Sequence, residues 1–324
     1  MSKPQPPLFN QRIIHDALSA TAQTVEDLLS EKDPKIGCII PLLGPTRVGK
    51  SAVAERLVEK SGHACSLFPM KNVVRKDLPP QVSGREIYAA GLNAMGFRTR
   101  DADKTKPLRD RLFRAIKERD IKVIIFDEAN HLVERGANLS PRAAADHLKA
   151  IVDETGVSLI LSGLPRFQQI IDQNEQLRDR ANGTVLFKPY DWQNDEERDA
   201  FAGAVDAAIG SLEISGFQVV VKFEDIVRRL YGASGGRVPI MLRLFKLCAI
   251  SARASNRLTL VHFATAASKM QQSGIPVSTF FKNDEPDEVE LLRSFASIMS
   301  EAGLDFPIES IAGLQACWEE GSQV

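Results

Sequence analysis

Over the first 190 residues, two kinds of hydrophobic pattern alternate. Residues 36–43, 65–70, 123–126, 157–161 and 184–187 are short, mostly apolar runs. Such runs are typical of strands in a parallel sheet covered on both faces. Between them, apolar residues recur at helical spacing over 51–60, 84–95, 107–119, 140–155 and 164–173. Local signals mark several ends: Gly62 and Gly96 as stops, Pro107 at the first helical position, and the pair Ser140-Pro141 as cap and first residue. A further helix is expected over 10–31, ended by Asp33-Pro34. Strands alternating with helices predict βαβ units and a parallel sheet of about five strands.

After Pro189 the strand pattern stops. Helical spacing returns over 195–212, 223–231, 238–254 and 261–273, with 218–222 and 258–260 ambiguous. One more helix is expected over 287–299. The expectation is an α/β domain followed by a small helical domain. The boundaries are an N-terminal extension and helix at 1–34, the α/β domain at 35–190, the helical domain at 191–274 and a C-terminal tail at 275–324.

Composition changes this picture little. The chain has 324 residues, 44% hydrophobic and 26% charged, as in an ordinary globular protein. No apolar run approaches the roughly 18 residues that span a membrane, and the start, MSKPQPPLFNQR, lacks the apolar stretch of a secretory signal. Cys38, Cys65, Cys248 and Cys317 are scattered and read as reduced structural residues of a cytoplasmic protein. The five histidines have no metal-ligand spacing. Net charge is −1, but its distribution is uneven. Residues 282–324 hold two basic and ten acidic residues, leaving 39 basic and 32 acidic before them. A mildly basic body can meet an anionic polymer, and an acidic tail something else.

The chemistry centres on Gly44, Pro45, Thr46, Arg47, Val48, Gly49, Lys50 and Ser51, which fit G-x-x-x-x-G-K-[ST] between an expected strand and helix. Backbone N–H groups of such a loop, and the helix N-terminus behind it, face an anion. Lys50 is placed to reach the β- and γ-phosphates of ATP, and Ser51 to hold Mg²⁺. Asp127 and Glu128 follow the apolar run 123–126, at the strand end where ligands of open α/β sheets bind. Asp127 is expected to support the metal and Glu128 to polarise the attacking water. Ser162, ending the next apolar run, is either a nucleotide sensor or a turn serine. Arg178 and Arg180 precede the last strand. Either could act on phosphates held by a neighbouring copy, with Arg180 favoured because it is nearer the strand. Ser234-Gly235-Gly236-Arg237 opens a helix of the second domain, where Arg237 is a candidate cation for the γ-phosphate.

This order of motifs resembles the AAA+ ATPases. More narrowly, G-P-T-R-V-G-K-S at 44–51, I-I-F-D-E-A-N-H-L at 124–132 and L-S-G-L-P at 161–165 resemble the TnsC/TniB family, the ATPase regulators of transposons that move by a DDE transposase. The resemblance covers about residues 36–255. It implies a P-loop AAA+ domain with a helical lid, and ATP-dependent assembly on duplex DNA as a ring or helical filament. It further implies bridging between a TniQ-type target-selection adaptor and the transposase, with hydrolysis controlling assembly and disassembly. Under that reading, candidate contacts to DNA phosphates are Lys71, Arg75 and Lys76 after the second strand, and Arg98, Arg100, Lys104 and Lys106 in the next long loop. Three alternatives stand beside it: a replication initiator or DNA-loading AAA+ protein, a nucleotide-gated protein switch of STAND-like or secretion-associated type, and a metabolic kinase. No helix-turn-helix follows the lid, no repeat domain is present, and Glu128 with trans arginines is foreign to a kinase.

Overall fold

A computed structural model describes residues 13–31, 36–61, 72–132, 139–270, 277–282 and 284–305. The chain divides into two units, 18–46 with 50–187, and 13–17 and 47–49 with 188–305.

The first unit is the expected α/β domain. Strands β1 (Ile39–Leu43), β2 (Val73–Asp77), β3 (Val123–Asp127), β4 (Ser158–Gly163) and β5 (Val185–Leu186) form one sheet in the order β2-β3-β4-β1-β5. Every pairing is parallel. The helices are α1 (Asp16–Ser30), α2 (Lys50–Lys60), α3 (Gly84–Ala94), α4 (Thr105–Glu118), α5 (Pro141–Thr155), α6 (Phe167–Gln173) and α7 (Glu175–Arg178). Strand alternation splits the apolar side chains between two faces. Ile39, Leu43, Ile124, Phe126, Leu159 and Leu161 share a core with Tyr88, Leu92, Leu112 and Leu148. On the opposite face Ile40, Leu42, Ile125 and Ile160 are fully buried, and α2 lies against β2 and β4. Both faces are covered, which is why the central strands read as unbroken apolar runs.

Local signals act as expected around α5. The Ser140 hydroxyl accepts from Ala143 N–H at 3.2 Å, Pro141 takes the first helical position, and Gly156 ends the helix at φ 73°. Pro107 is displaced. Lys104 caps α4, so Pro107 falls third in the helix, still within the turn that lacks intrahelical acceptors.

The second unit is built from α8 (Asp195–Ile214), α9 (Phe223–Ser234), α10 (Val238–Ser251), α11 (Leu260–Ser268) and α12 (Glu288–Glu301), with a 3-10 turn at Val277–Phe281. Its core is aromatic. Phe201 meets Tyr231 edge-on at 5.4 Å, and Phe263 stacks on Phe281 at 5.5 Å. Gly236, at φ 75°, lies so close to Tyr190 that an added Cβ would sit 2.2 Å from its carbonyl oxygen.

Three expectations are corrected. The strand expected at 65–70 lies outside the described residues, but residues 73–77, where Arg75 and Lys76 are expected beyond a strand, themselves form β2. As an edge strand it buries only Val74, so polar residues are tolerated and the apolar signal is weak. Strands do not stop after Pro189: β6 (Gln218–Val219) pairs in parallel with β7 (Arg257–Leu258), a pairing too short for periodicity to reveal. The described residues after 275 do not stand apart as a tail. Phe280, Phe281, Leu291, Phe295 and Met299 belong to the core of the helical unit.

Also in that unit, His15 Nδ1 lies 2.9 Å from the Tyr190 hydroxyl, which accepts from Ala17 N–H at 3.0 Å. Burial pushes the His15 ring from 6.5 down to about 4, against the pull of Asp16. The unfolded ring takes up a proton below about pH 6.5, whereas the folded ring resists to about pH 4. Stability is therefore full above pH 6.5 and falls through that window, by roughly 3 kcal/mol from this residue. Urea unfolding at pH 7, 5.5 and 4.5 should show the loss, and His15→Asn should flatten it.

Candidate nucleotide site

The loop after β1 has the geometry of a phosphate cradle. Gly44 N–H bonds to the Gly163 carbonyl at 3.2 Å, fixing the loop to the end of β4. Arg47 and Gly49 have φ of 59° and 119°. The second value is accessible in practice only to glycine. Helix α2 then begins at Lys50, so its unpaired N–H groups open on the loop. The Lys50 ammonium donates to the Gly44 and Pro45 carbonyls at 2.8 Å each. Burial pushes it down to about 8, and Asp127 and Glu128 oppose that shift.

Asp127 is the hub. It ends β3 and is 2% exposed. Oδ1 accepts from the Ser162 hydroxyl at 2.6 Å and from Glu128 N–H at 3.0 Å. Oδ2 accepts from the Ser51 hydroxyl and from Arg75, both at 2.7 Å. Burial works against the charge. The Ser162 and Ser51 hydroxyls, Arg75 and the Glu128 N–H overcome it and hold the carboxyl below its usual range. Glu128 has φ 57°, a conformation costly for a residue with a Cβ, and its side chain is exposed. Adjacent carboxylates thus differ fully in setting, one buried and bonded, the other turned to solvent.

Ser162 lies inside β4, fully buried, and its hydroxyl is committed to Asp127. It is not a helix cap, since α6 is capped by Arg166. Arg180 grips Asp153 of α5 with two bonds, Nε at 2.7 Å and Nη2 at 2.9 Å. Arg178 ends α7 and donates to the Asp172 carbonyl at 3.4 Å. In the helical unit, Arg237 caps α10, is 7% exposed, and donates from Nε to the Ser234 carbonyl at 2.8 Å. Burial lowers its guanidinium to about 10. Gly235 ends α9 in the left-handed conformation, so this glycine pair serves helix termination and close packing.

The basic candidates separate. Lys71 lies outside the described residues. Arg75 is not on a loop after the second strand. It stands within β2, side chain 19% exposed, ion-paired to Asp127, Glu55 and Asp77. Lys76, its neighbour on β2, is exposed. Arg98 and Arg100 are exposed between α3 and α4, Lys104 is the α4 cap and Lys106 lies in its first turn, both exposed. Sequence reasoning missed the residues that shape this loop. Arg85 donates to the Asp103 carbonyl at 3.1 Å and the Arg100 carbonyl at 2.5 Å, and Arg111 to the Arg98 carbonyl at 3.2 Å. Bonds from side chains to distant carbonyls leave no mark in local sequence.

Ser51 and Asp127 offer a hydroxyl and a carboxylate oxygen 2.7 Å apart. Such hard oxygen donors suit Mg²⁺, which takes few protein ligands and completes its shell with phosphate and water. No group of three or more His, Cys, Asp or Glu side chains among the described residues forms any other metal cluster. Cys38 and Cys248 are buried free thiols. No described helix is long and apolar enough to cross a membrane.

A five-stranded parallel sheet with this loop, this buried aspartate and a helical C-terminal unit defines a P-loop ATPase of AAA+ type. The family model for the bacterial TniB protein matches residues 9–191, more than half of the chain. The chain therefore belongs to the TniB family, among the AAA+ regulators of transposition of TnsC/TniB type. No curated protein matches it. Among solved structures, the Aeropyrum pernix ORC2 protein in its ADPNP–ADP complexes is 14% identical with TM-score 0.56, over 83% of this chain and 73% of that one. Cdc6p of Pyrobaculum aerophilum is 12% identical with TM-score 0.56, over 94% and 86%. The Aeropyrum pernix ORC1 protein in complex with DNA is 15% identical with TM-score 0.55, over 99% and 88%. Identities this low carry the fold alone.

Lys50→Ala should remove the cation aimed at the phosphates. Fluorescent-nucleotide titration should show ATP affinity reduced at least about a hundredfold, the loss of nearly 3 kcal/mol that a charged hydrogen-bond donor supplies, with an unchanged melting temperature in the absence of nucleotide.

Proposed function

We propose that this chain is an ATP-dependent, DNA-binding transposition regulator. In this reading it assembles as a ring or filament on duplex DNA, linking a TniQ-type target-selection adaptor to a DDE transposase. The single observation that carries the ATPase part is the Asp127 hub. A buried carboxylate shared by Ser51 and Ser162, beside a glycine loop and a lysine, suits a magnesium nucleotide and little else.

Lys50 and the loop N–H groups bind the phosphates, and Ser51 with Asp127 would hold Mg²⁺. The bound ion would draw charge from the phosphate oxygens. Glu128, exposed and unburdened by the bonds that occupy Asp127, orients and deprotonates the attacking water. Ser162 keeps Asp127 oriented and senses the phosphate end of the site. Arg180, or Arg178, acts on the nucleotide of the next copy, Arg180 exchanging Asp153 for phosphate as copies stack. Hydrolysis would then weaken the contact between copies and release the assembly.

DNA binding is supported by the basic rim at Arg98, Arg100, Lys104 and Lys106. All four are exposed and form no ion pair among the described residues. A backbone clamped by Arg85 and Arg111 presents them at little ordering cost. These are contacts to phosphate and not to bases, so binding is salt-dependent and tolerant of sequence. A replication initiator or loader is the second reading, favoured by the fold likeness to ORC proteins, one of them bound to DNA. The family assignment weighs toward the transposon role.

Glu128→Gln should bind ATP without cleaving it. Mixed with random-sequence duplex DNA and viewed by electron microscopy, it should form rings or filaments with ATP and none without. Protein that binds ATP yet ignores DNA would point to a nucleotide-gated protein switch. In the same chain, Lys104→Glu with Lys106→Glu should weaken DNA binding alike across sequences. It should also lower the slope of log affinity against log salt by about two; an unchanged slope moves the DNA elsewhere.

A further inference from the structure

Arg75 has an arrangement that neither strand pairing nor DNA contact requires. β2 and β3 run in register, Arg75 opposite Ile125 and Asp77 opposite Asp127. Alternation along the strands puts Arg75, Asp77 and Asp127 on one face. From there the guanidinium reaches three carboxylates. Nη2 donates to Asp127 Oδ2 at 2.7 Å and to Asp77 Oδ1 at 3.0 Å, and Nη1 donates to Glu55 Oε1 of α2 at 2.8 Å.

The oxygen it takes is telling. Asp127 Oδ2 also receives the Ser51 hydroxyl at 2.7 Å. Ser51 and Asp127 are the two groups suited to a magnesium ion, and a side-chain cation already occupies the oxygen between them. A divalent ion approaching Oδ2 meets that positive charge at close range, in a site where Asp127 is nearly sealed from water. The guanidinium has somewhere to go. Glu55 already accepts from Nη1 and Asp77 from Nη2, and both are more exposed than Asp127.

We propose that Arg75 is the exchangeable counter-charge of Asp127. It neutralises the buried carboxylate before a magnesium nucleotide arrives and withdraws onto Glu55 and Asp77 when the ion binds. This rests on the assignment of residues 44–51 and Asp127 to magnesium–ATP. Arg75 is a positioning residue acting through Asp127. Its second effect is to screen Asp127 from the phosphates of metal-free ATP. A mere anchor for the edge strand would affect stability and leave metal dependence alone.

The test is binding of N-methylanthraniloyl-ATP to the full chain, from excess EDTA through rising Mg²⁺. Without Arg75, Asp127 repels metal-free ATP and attracts magnesium more strongly. Arg75→Ala should therefore lower metal-free affinity about fivefold and also lower the Mg²⁺ concentration for half-maximal binding about fivefold. Arg75→Lys, which keeps the charge, should stay near the unaltered chain. Values within about twofold of the unaltered chain in both respects, or an equal loss with and without Mg²⁺, overturn the proposal. Should the unaltered chain bind no nucleotide at all, the magnesium–ATP reading falls and this one with it. If Arg75→Ala does not fold, crystal structures of the unaltered chain with Mg·ADP decide. The guanidinium is expected off Asp127 Oδ2 and still on Glu55; an Arg75 within about 3 Å of Oδ2 beside a bound ion overturns the exchange.

Discussion

The charge of Asp127 is the constraint on which the α/β unit depends. A carboxylate 2% exposed loses nearly all its hydration, and it stays ionised only because protein donors replace water. The donors come from separate elements: Ser51 from α2, Arg75 from β2, Ser162 from β4 and the N–H of Glu128 from the chain's own turn. Each is charge-assisted, and the three from side chains are short, 2.6–2.7 Å. Together they fix the carboxyl end of the sheet to the start of α2, so the glycine loop and the strand ends hold one geometry. Removing one donor leaves a buried charge underserved, a larger penalty than the net worth of the bond.

The same constraint sets the two acidic neighbours apart. Strand β3 places Asp127 inward, and the next residue must leave the sheet. Glu128 does so at φ 57°, carrying its carboxylate to solvent. Backbone strain at that point is the cost of putting two adjacent carboxylates in opposite environments, one to hold and one to act. The basic loop follows a comparable logic. Arg85 and Arg111 are spent on carbonyl oxygens, which leaves the neighbouring Arg98, Arg100, Lys104 and Lys106 exposed on a braced backbone.

Family and fold give different kinds of information here. The TniB match covers 9–191, a span that takes in the α/β unit with its first helix α1. The ORC and Cdc6 structures extend over more of the chain, up to 99%, but at 12–15% identity. The helical unit is therefore described by shape. Its described residues after 275 pack into the core through Phe280, Phe281, Leu291 and Phe295, which argues that this segment was shaped by folding as much as by charge.

What the sequence by itself determined was local. The glycine loop, the apolar strands β1, β3 and β4, the capped helix α5 and the Asp127-Glu128 pair were all legible, because each depends on residues within one turn or one strand of each other. The tertiary structure decided the rest. It made β2 an edge strand, where one buried valine suffices and the apolar signal fades. It set the strand order β2-β3-β4-β1-β5, and it turned Arg75 from an apparent surface cation into a partner of a residue 52 positions away. Ser51 and Ser162 meet the same carboxylate across 76 and 35 positions. No spacing encodes such meetings. They follow from which strands lie side by side, and a buried charge then selects whichever donors that packing brings within reach.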